Sequence, residues 1–163
     1  MKTIELNNNY TCNIDDEDYN EIKKYHWFTQ HNGHATYAAT HITQDKLMLM
    51  HRLILKLKEG EICDHKDHNG LNNQRNNIRQ TTSQNNSANQ TKTRTYKNLP
   101  TMSKYKGVSW NRNYMKWFSQ IGHNHKTLYL GIYTSEIEAA KAYDKKALEL
   151  YGEHAYTNFG EQT

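Results

Sequence analysis

At 163 residues with 35% hydrophobic content, mean hydropathy −1.08 and a net charge of +4, the chain has room for two small domains but not for one large core. No run of 18 apolar residues predicts a membrane span, and Asn7-Asn8-Asn9 interrupts the start before a secretory segment could form. Cys12 and Cys63 give no disulfide framework, which suits a reducing cytoplasm.

Residues 1–14 alternate weakly and predict a short hairpin around Asn7-Asn8-Asn9. Asp15-Asp16-Glu17-Asp18 opens a short predicted helix, since acids suit the positive end of a helix. Trp27-Phe28 and Tyr37-Ala38-Ala39 predict strands. The run Leu47 to Leu55 is the one strongly apolar segment, to be packed as strand, helix or one followed by the other. Residues 64–98 hold only Leu71, Ile78, Ala88 and Tyr96 as apolar side chains, too few to offset ordering entropy by burial. A metal, the neighbouring core or DNA must hold that stretch, or it stays disordered. Residues 91–104 show no periodicity and read as a linker. Beyond it, Tyr105–Trp110, Met115–Ile121 and Lys126–Tyr133 predict a three-stranded antiparallel meander. Ser135-Glu136-Ile137-Glu138 is a capping box, starting a helix with Ile137, Ala140, Tyr143, Ala147 and Leu150 on one face and Gly152 as its stop.

Charge is segregated along the chain. Residues 1–67 carry eight bases and eleven acids, residues 68–116 nine bases and no acid, residues 117–163 four bases and six acids. The middle block is either a solvated basic linker or a phosphate-contacting one, and its interleaved Tyr, Trp and amides favour nucleic acid over a membrane.

Chemistry concentrates in Cys63-Asp64-His65-Lys66-Asp67-His68-Asn69-Gly70, followed by Asn76-Asn77-Ile78-Arg79 and Thr82 to Asn86. Phosphodiester hydrolysis needs a base for water and a hard cation with oxygen ligands, which His, Asp and Asn supply. Cys63, His65 and His68 also offer three zinc donors, one short of a structural site. Met50-His51-Arg52-Leu53, Asp64-His65, Asn69-Gly70-Leu71, Asn73, Arg75, Asn77-Ile78-Arg79, Thr82, Asn86 and Asn89 resemble the HNH homing endonucleases of phages and introns, in the asparagine variant of the motif. Asp16-Glu17-Asp18-Tyr19, Trp27 and Tyr37-Ala38 resemble the region that precedes that core. The resemblance implies a ββα-metal (His-Me finger) fold over residues 1–92, divided into an N-terminal αβ region at 1–50 and the ββα-metal motif at 51–92. It implies His65 as general base, Asn77 orienting the loop, and Asp64 and Asn86 on Mg²⁺ or Mn²⁺. Asn77 can equally only pin the hairpin. His51 reads as packing, and Arg52 as packing or a phosphate contact.

Tyr105-Lys106-Gly107-Val108-Ser109-Trp110, Lys116-Trp117, Ile121, Tyr129-Leu130-Gly131, Glu138-Ala139-Ala140, Ala142-Tyr143-Asp144, Ala147, Gly152, Ala155 and Asn158-Phe159 resemble the AP-two/ERF DNA-binding domain. That resemblance implies a three-stranded sheet on one helix over residues 105–160, with the sheet face in the major groove. The implied reading positions are Lys106, Ser109, Asn111, Lys116, Gln120, Thr127 and Tyr129. Ser109, Asn111, Gly122 and Thr127 stand where plant members carry arginines, so their sequence preference does not transfer. Trp110 and Trp117 fit core or DNA surface, with Trp117 assigned to the core.

The whole reads as an α+β, two-domain site-specific DNA endonuclease joined by a basic linker at 93–104. Its partner is double-stranded DNA, with no membrane, and it acts as a monomer. Arg52, Arg75, Arg79, Lys92, Arg94, Lys97, Lys104 and Arg112 join the reading positions as expected DNA contacts. A cytoplasmic location in a bacterial host, with a phage- or intron-encoded gene, goes with that reading. The alternative is a non-catalytic, sequence-specific DNA-binding regulator that retains the nuclease fold.

Overall fold

The computed structural model describes residues 1–33, 35–92, 95–96 and 99–160. They form two compact units, Met1–Thr82 and Ser83–Thr163. No helix among them is long and apolar enough to cross a membrane.

The first unit opens with the antiparallel hairpin β1 (Lys2–Glu5) and β2 (Thr11–Ile14), its turn at Asn7–Asn9. Asn8 and Asn9 take positive φ there, a conformation asparagine tolerates better than most residues. The helix expected after Asp15 is a single turn, α1 (Tyr19–Ile22). The acids before it serve tertiary contacts. Asp15 accepts from the Arg75 backbone N–H at 2.8 Å, and Arg75 forms ion pairs with Glu17 and Asp18, each at 2.6 Å. Strands β3 (Phe28–Asn32), β4 (Ala35–Thr43) and β5 (Lys46–Leu49) make an antiparallel meander. The apolar run at 47–55 resolves into the end of β5 followed by α2 (Met50–Ile54). Strands β6 (Ile62–His65) and β7 (Ile78–Thr81) pair antiparallel around the loop 66–77. Ile14, Ile22, Trp27, Ala38, Met50, Ile54 and Ile78 form the core. The polar loop is thus carried by a core built elsewhere, and Asn73, fully buried, is stitched to β2 through its N–H on the Asn13 carbonyl at 2.8 Å.

The second unit begins with α3 (Ser83–Asn89), followed by the two-residue strands β8 (Thr95–Tyr96) and β9 (Leu99–Pro100). Within the segment read as a basic linker, 93–104, β8 and β9 pair antiparallel, Thr95 with Pro100 and Tyr96 with Leu99. Strands β10 (Val108–Asn111), β11 (Lys116–His123) and β12 (Lys126–Tyr133) form the expected antiparallel sheet. Helix α4 (Glu136–Tyr151) covers one side of it. Ser135 caps the helix by accepting from the Glu138 N–H, and Gly152 ends it at φ 51°. Ala139, Ala140, Tyr143 and Ala147 are buried as their spacing requires. Ile137, placed on that same face from sequence, is instead 49% exposed. It sits in the first turn, ahead of the sheet-facing stripe.

Candidate nucleic-acid interface

Side chains alternate across the sheet, so each strand divides between the helix side and an open side. Val108, Ser119 and Ile121 point to the helix and are buried, with Leu128 and Leu130 packed beside them. Trp110 and Trp117 are register partners on that same side, in edge contact at 4.9 Å, and Trp117 packs on Val108, Ala139 and Ala140. Both tryptophans are half-buried, and the assignment of Trp117 to the core agrees with its packing.

The open side carries Ser109, Lys116, Phe118, Gln120, Thr127, Tyr129 and Ile132. A register shift between Ser119 and Gln120 inserts Leu130 as an extra residue in β12, so Gln120 lies opposite Tyr129. Phe118 meets Tyr129 edge-on at 5.5 Å and stacks with Tyr114 at 5.9 Å. The five expected readers Ser109, Lys116, Gln120, Thr127 and Tyr129 therefore share one exposed face. Arg112 is exposed in the β10–β11 turn.

Two other expected readers are committed elsewhere. Asn111 accepts the Asn113 and Tyr114 N–H groups at 3.0 and 3.1 Å, holding the turn. Lys106 turns its ammonium onto the carbonyls of Ser87, Ala88 and Gln90, at 3.1, 2.6 and 2.6 Å. A cation at a helix C-terminus satisfies carbonyls that lack helical partners, and burial lowers the Lys106 ammonium to about 8. Its backbone is clasped by Asn158, which Asp144 in turn orients. Of the expected linker contacts, Lys92 donates to the Val108 carbonyl at 2.9 Å and Lys104 is exposed over the Tyr105 ring. Arg94 and Lys97 lie outside the described residues.

In the first unit, the other arginines expected on DNA are also engaged. Arg52 donates to the Glu61 and Lys58 carbonyls at 2.6 and 2.7 Å, closing the loop between α2 and β6. Arg79 forms an ion pair with Asp64 at 3.0 Å, with both side chains at most 10% exposed. Asn77 pins the loop: it accepts from the Asp67 N–H and donates to the Asp67 carboxylate and the Asn72 carbonyl. His65 is buried and meets Asn73 at 3.4 Å. His51 is buried beside it, ring centroids 5.0 Å apart, with Tyr37 against both. Asp64 belongs to the first unit and Asn86 to the second. Among the described residues no three His, Cys, Asp or Glu side chains group to hold a metal, so Cys63, His65 and His68 make no zinc cluster. The Asp64 carboxylate set against the Arg79 guanidinium is a poor fit for a cation.

The histidines carry a pH signature. Burial, with His65 and Arg52 adding to it, pushes His51 down to about 3, and burial also lowers His65. A base whose folded value lies below its unfolded value binds fewer protons when folded. Stability is then complete above about pH 6.5 and falls as pH drops toward the folded value, by up to ~1.4 kcal/mol per pH unit for His51. Urea midpoints followed from about pH 7 to pH 4 should decline less steeply in His51→Phe. Equal slopes in parent and variant would mean that His51 takes its proton in the folded state.

Residues 103–153 match the family model described as AP2 domain. The chain is 45% identical over 60 residues to the ethylene-responsive transcription factor WRI1 of Arabidopsis thaliana, covering 36% of this chain and 14% of that protein. It is 42% identical over 59 residues to the AP2-like ethylene-responsive transcription factor PLT2 of Arabidopsis thaliana, covering 35% and 10%. It is 41% identical over 59 residues to the AP2-like factor CRL5 of rice, covering 35% and 9%. The chain thus spans only a small part of the length of these relatives. The sheet of β10, β11 and β12 with α4 falls within the residues that the AP2 domain model matches, and its three-stranded sheet on one helix is consistent with that match. These matches overturn the expectation of a metal-dependent endonuclease: the relatives are named transcription factors, not nucleases. They are plant proteins, which removes support for a phage origin.

Proposed function

We propose that this chain is a non-catalytic, sequence-specific DNA-binding regulator that reads duplex DNA as a monomer through the open face of β10, β11 and β12. Its N-terminal unit, with β6, β7 and the pinned loop between them, keeps the paired strands of the HNH motif as a scaffold. One observation carries the reading. The open face gathers hydroxyl, amide and aromatic side chains with Lys116, on a stretch without a single acid between Asp67 and Glu136. Sheets that enter the major groove read base edges with such side chains, while cations at their rim meet phosphates.

Selection of bound sites by the full chain from a randomised duplex library should return one motif, bound about 10³-fold or more tighter than scrambled DNA. Indiscriminate binding of all duplexes would overturn the reading. The rim makes its own prediction. Arg112→Gln with Lys116→Gln should flatten the log–log salt dependence of affinity by about 2, roughly 0.9 for each phosphate no longer neutralised. Fluorescence anisotropy across a salt series measures it, and an unchanged slope would remove both residues from the backbone-binding set.

A further inference from the structure

The open face has an order that bears on which bases it takes. Its cations stand at one end only, Arg112 and Lys116 at the β10–β11 turn. The middle holds one amide, Gln120, whose register partner is Tyr129. Beside them lie Phe118, in edge contact with Tyr129, and its register partner Ile132. Tyr129 and Ile132 are 58% and 37% exposed, so the stripe is open to a partner.

Guanine offers two acceptors in the major groove and is best met by a bidentate arginine or lysine, which the middle of this face lacks. Adenine offers an acceptor next to a donor, the pattern complementary to a glutamine amide. Thymine adds a methyl group that apolar side chains cover. Alternate residues on one strand face are about 6.8 Å apart, close to two base-pair steps of about 3.4 Å. Gln120 and Phe118, two positions apart on β11, therefore address pairs two steps apart when the strand follows the groove.

We infer that the sheet selects A·T pairs, with Gln120 bonding adenine and Phe118, Tyr129 and Ile132 covering thymine methyls on the neighbouring pairs. The inference rests on the DNA-binding reading above and specifies the ligand of that same face.

The full chain is first used to select sites from a randomised duplex library, and the selected core should be A·T-rich. Anisotropy then compares the selected duplex with two modified forms, one with 7-deazaadenine for adenine and one with deoxyuridine for thymine. The first loses the adenine N7 acceptor and the second the thymine methyl. Loss of the glutamine pairing should weaken binding by about 5- to 100-fold, and loss of the methyls should weaken it several-fold. Gln120→Ala should bind the natural duplex as weakly as the parent binds the 7-deazaadenine form, and should no longer distinguish the two. Tyr129→Ala with Ile132→Ala should likewise lose sensitivity to deoxyuridine. The DNA modifications test the idea without touching the protein fold. A G·C-rich core, or unchanged affinity for both modified duplexes, overturns the inference while leaving DNA binding intact. Failure to bind any duplex removes the DNA-binding reading and this inference with it.

Discussion

Gly107→Ala is expected to lower the Tm of the C-terminal unit by at least ~10 °C and to abolish with it the DNA binding proposed above. Gly107 has φ +75°, where a side chain costs about 1–2 kcal/mol. A Cβ added there would collide with the Tyr143 ring and stand 2.7 Å from the Gln120 carbonyl oxygen. Tyr143 is 3% exposed in the core beneath the sheet, so its ring has little room to withdraw. Overpacking of this kind costs about 1–3 kcal/mol more, and the sum is a large share of a small domain's stability. The Gln120 N–H donates to the Gly107 carbonyl at 2.9 Å, so displacing this turn also displaces the amide at the middle of the open face. Thermal melts followed by circular dichroism, with anisotropy on a selected duplex, give both readouts. An unchanged Tm would show that the backbone can relax and that the close approach is dispensable.

Arg79→Met should destabilise the N-terminal unit by about 3–5 kcal/mol, the usual cost of stranding one member of a buried ion pair. Asp64 is 7% exposed and faces the Arg79 guanidinium across β6 and β7 at a register pair, so its carboxylate would stay buried without its counterion. A double variant, Asp64→Leu with Arg79→Met, should recover most of the loss, because replacing both charges with apolar groups is often near neutral. Urea denaturation of the three variants forms a cycle. If the double variant is no better than Arg79→Met, the pair acts through something other than its own charge balance.

The C-terminal architecture was legible because its cues are local. Turn residues divide 105–133 into three strands, and the capping box at Ser135 fixes where α4 starts. Ser109, Lys116, Gln120, Thr127 and Tyr129 are implied together by the AP-two/ERF resemblance, and the strand register sets them on one face. The engagement of Lys106 was not legible, because nothing in its surroundings along the chain signals the carbonyls of Ser87, Ala88 and Gln90 that accept from it. Asp15, Glu17 and Asp18 read as a helix start, yet they meet Gln74 and Arg75 almost sixty positions later. Such pairings are set by tertiary packing, which spacing does not encode. The functional misreading has a different root. Asp64, His65 and Asn77 follow a motif by spacing, but spacing does not say whether Asp64 faces a cation or Arg79.

The ammonium of Lys106 has a practical meaning for anyone wishing to move this domain. The family match begins at residue 103. Yet Ala88 is part of the core with Ile121, Tyr143, Ala147 and Tyr151, and its carbonyl accepts both the Lys106 ammonium and the Tyr156 N–H. A graft cut at 103 would leave a partly desolvated lysine with no carbonyls to hold and an apolar notch where Ala88 had been. The portable module starts at Ser83, twenty residues before the matched region, so α3 has to travel with the sheet if the transplanted domain is to arrive with its own foundation.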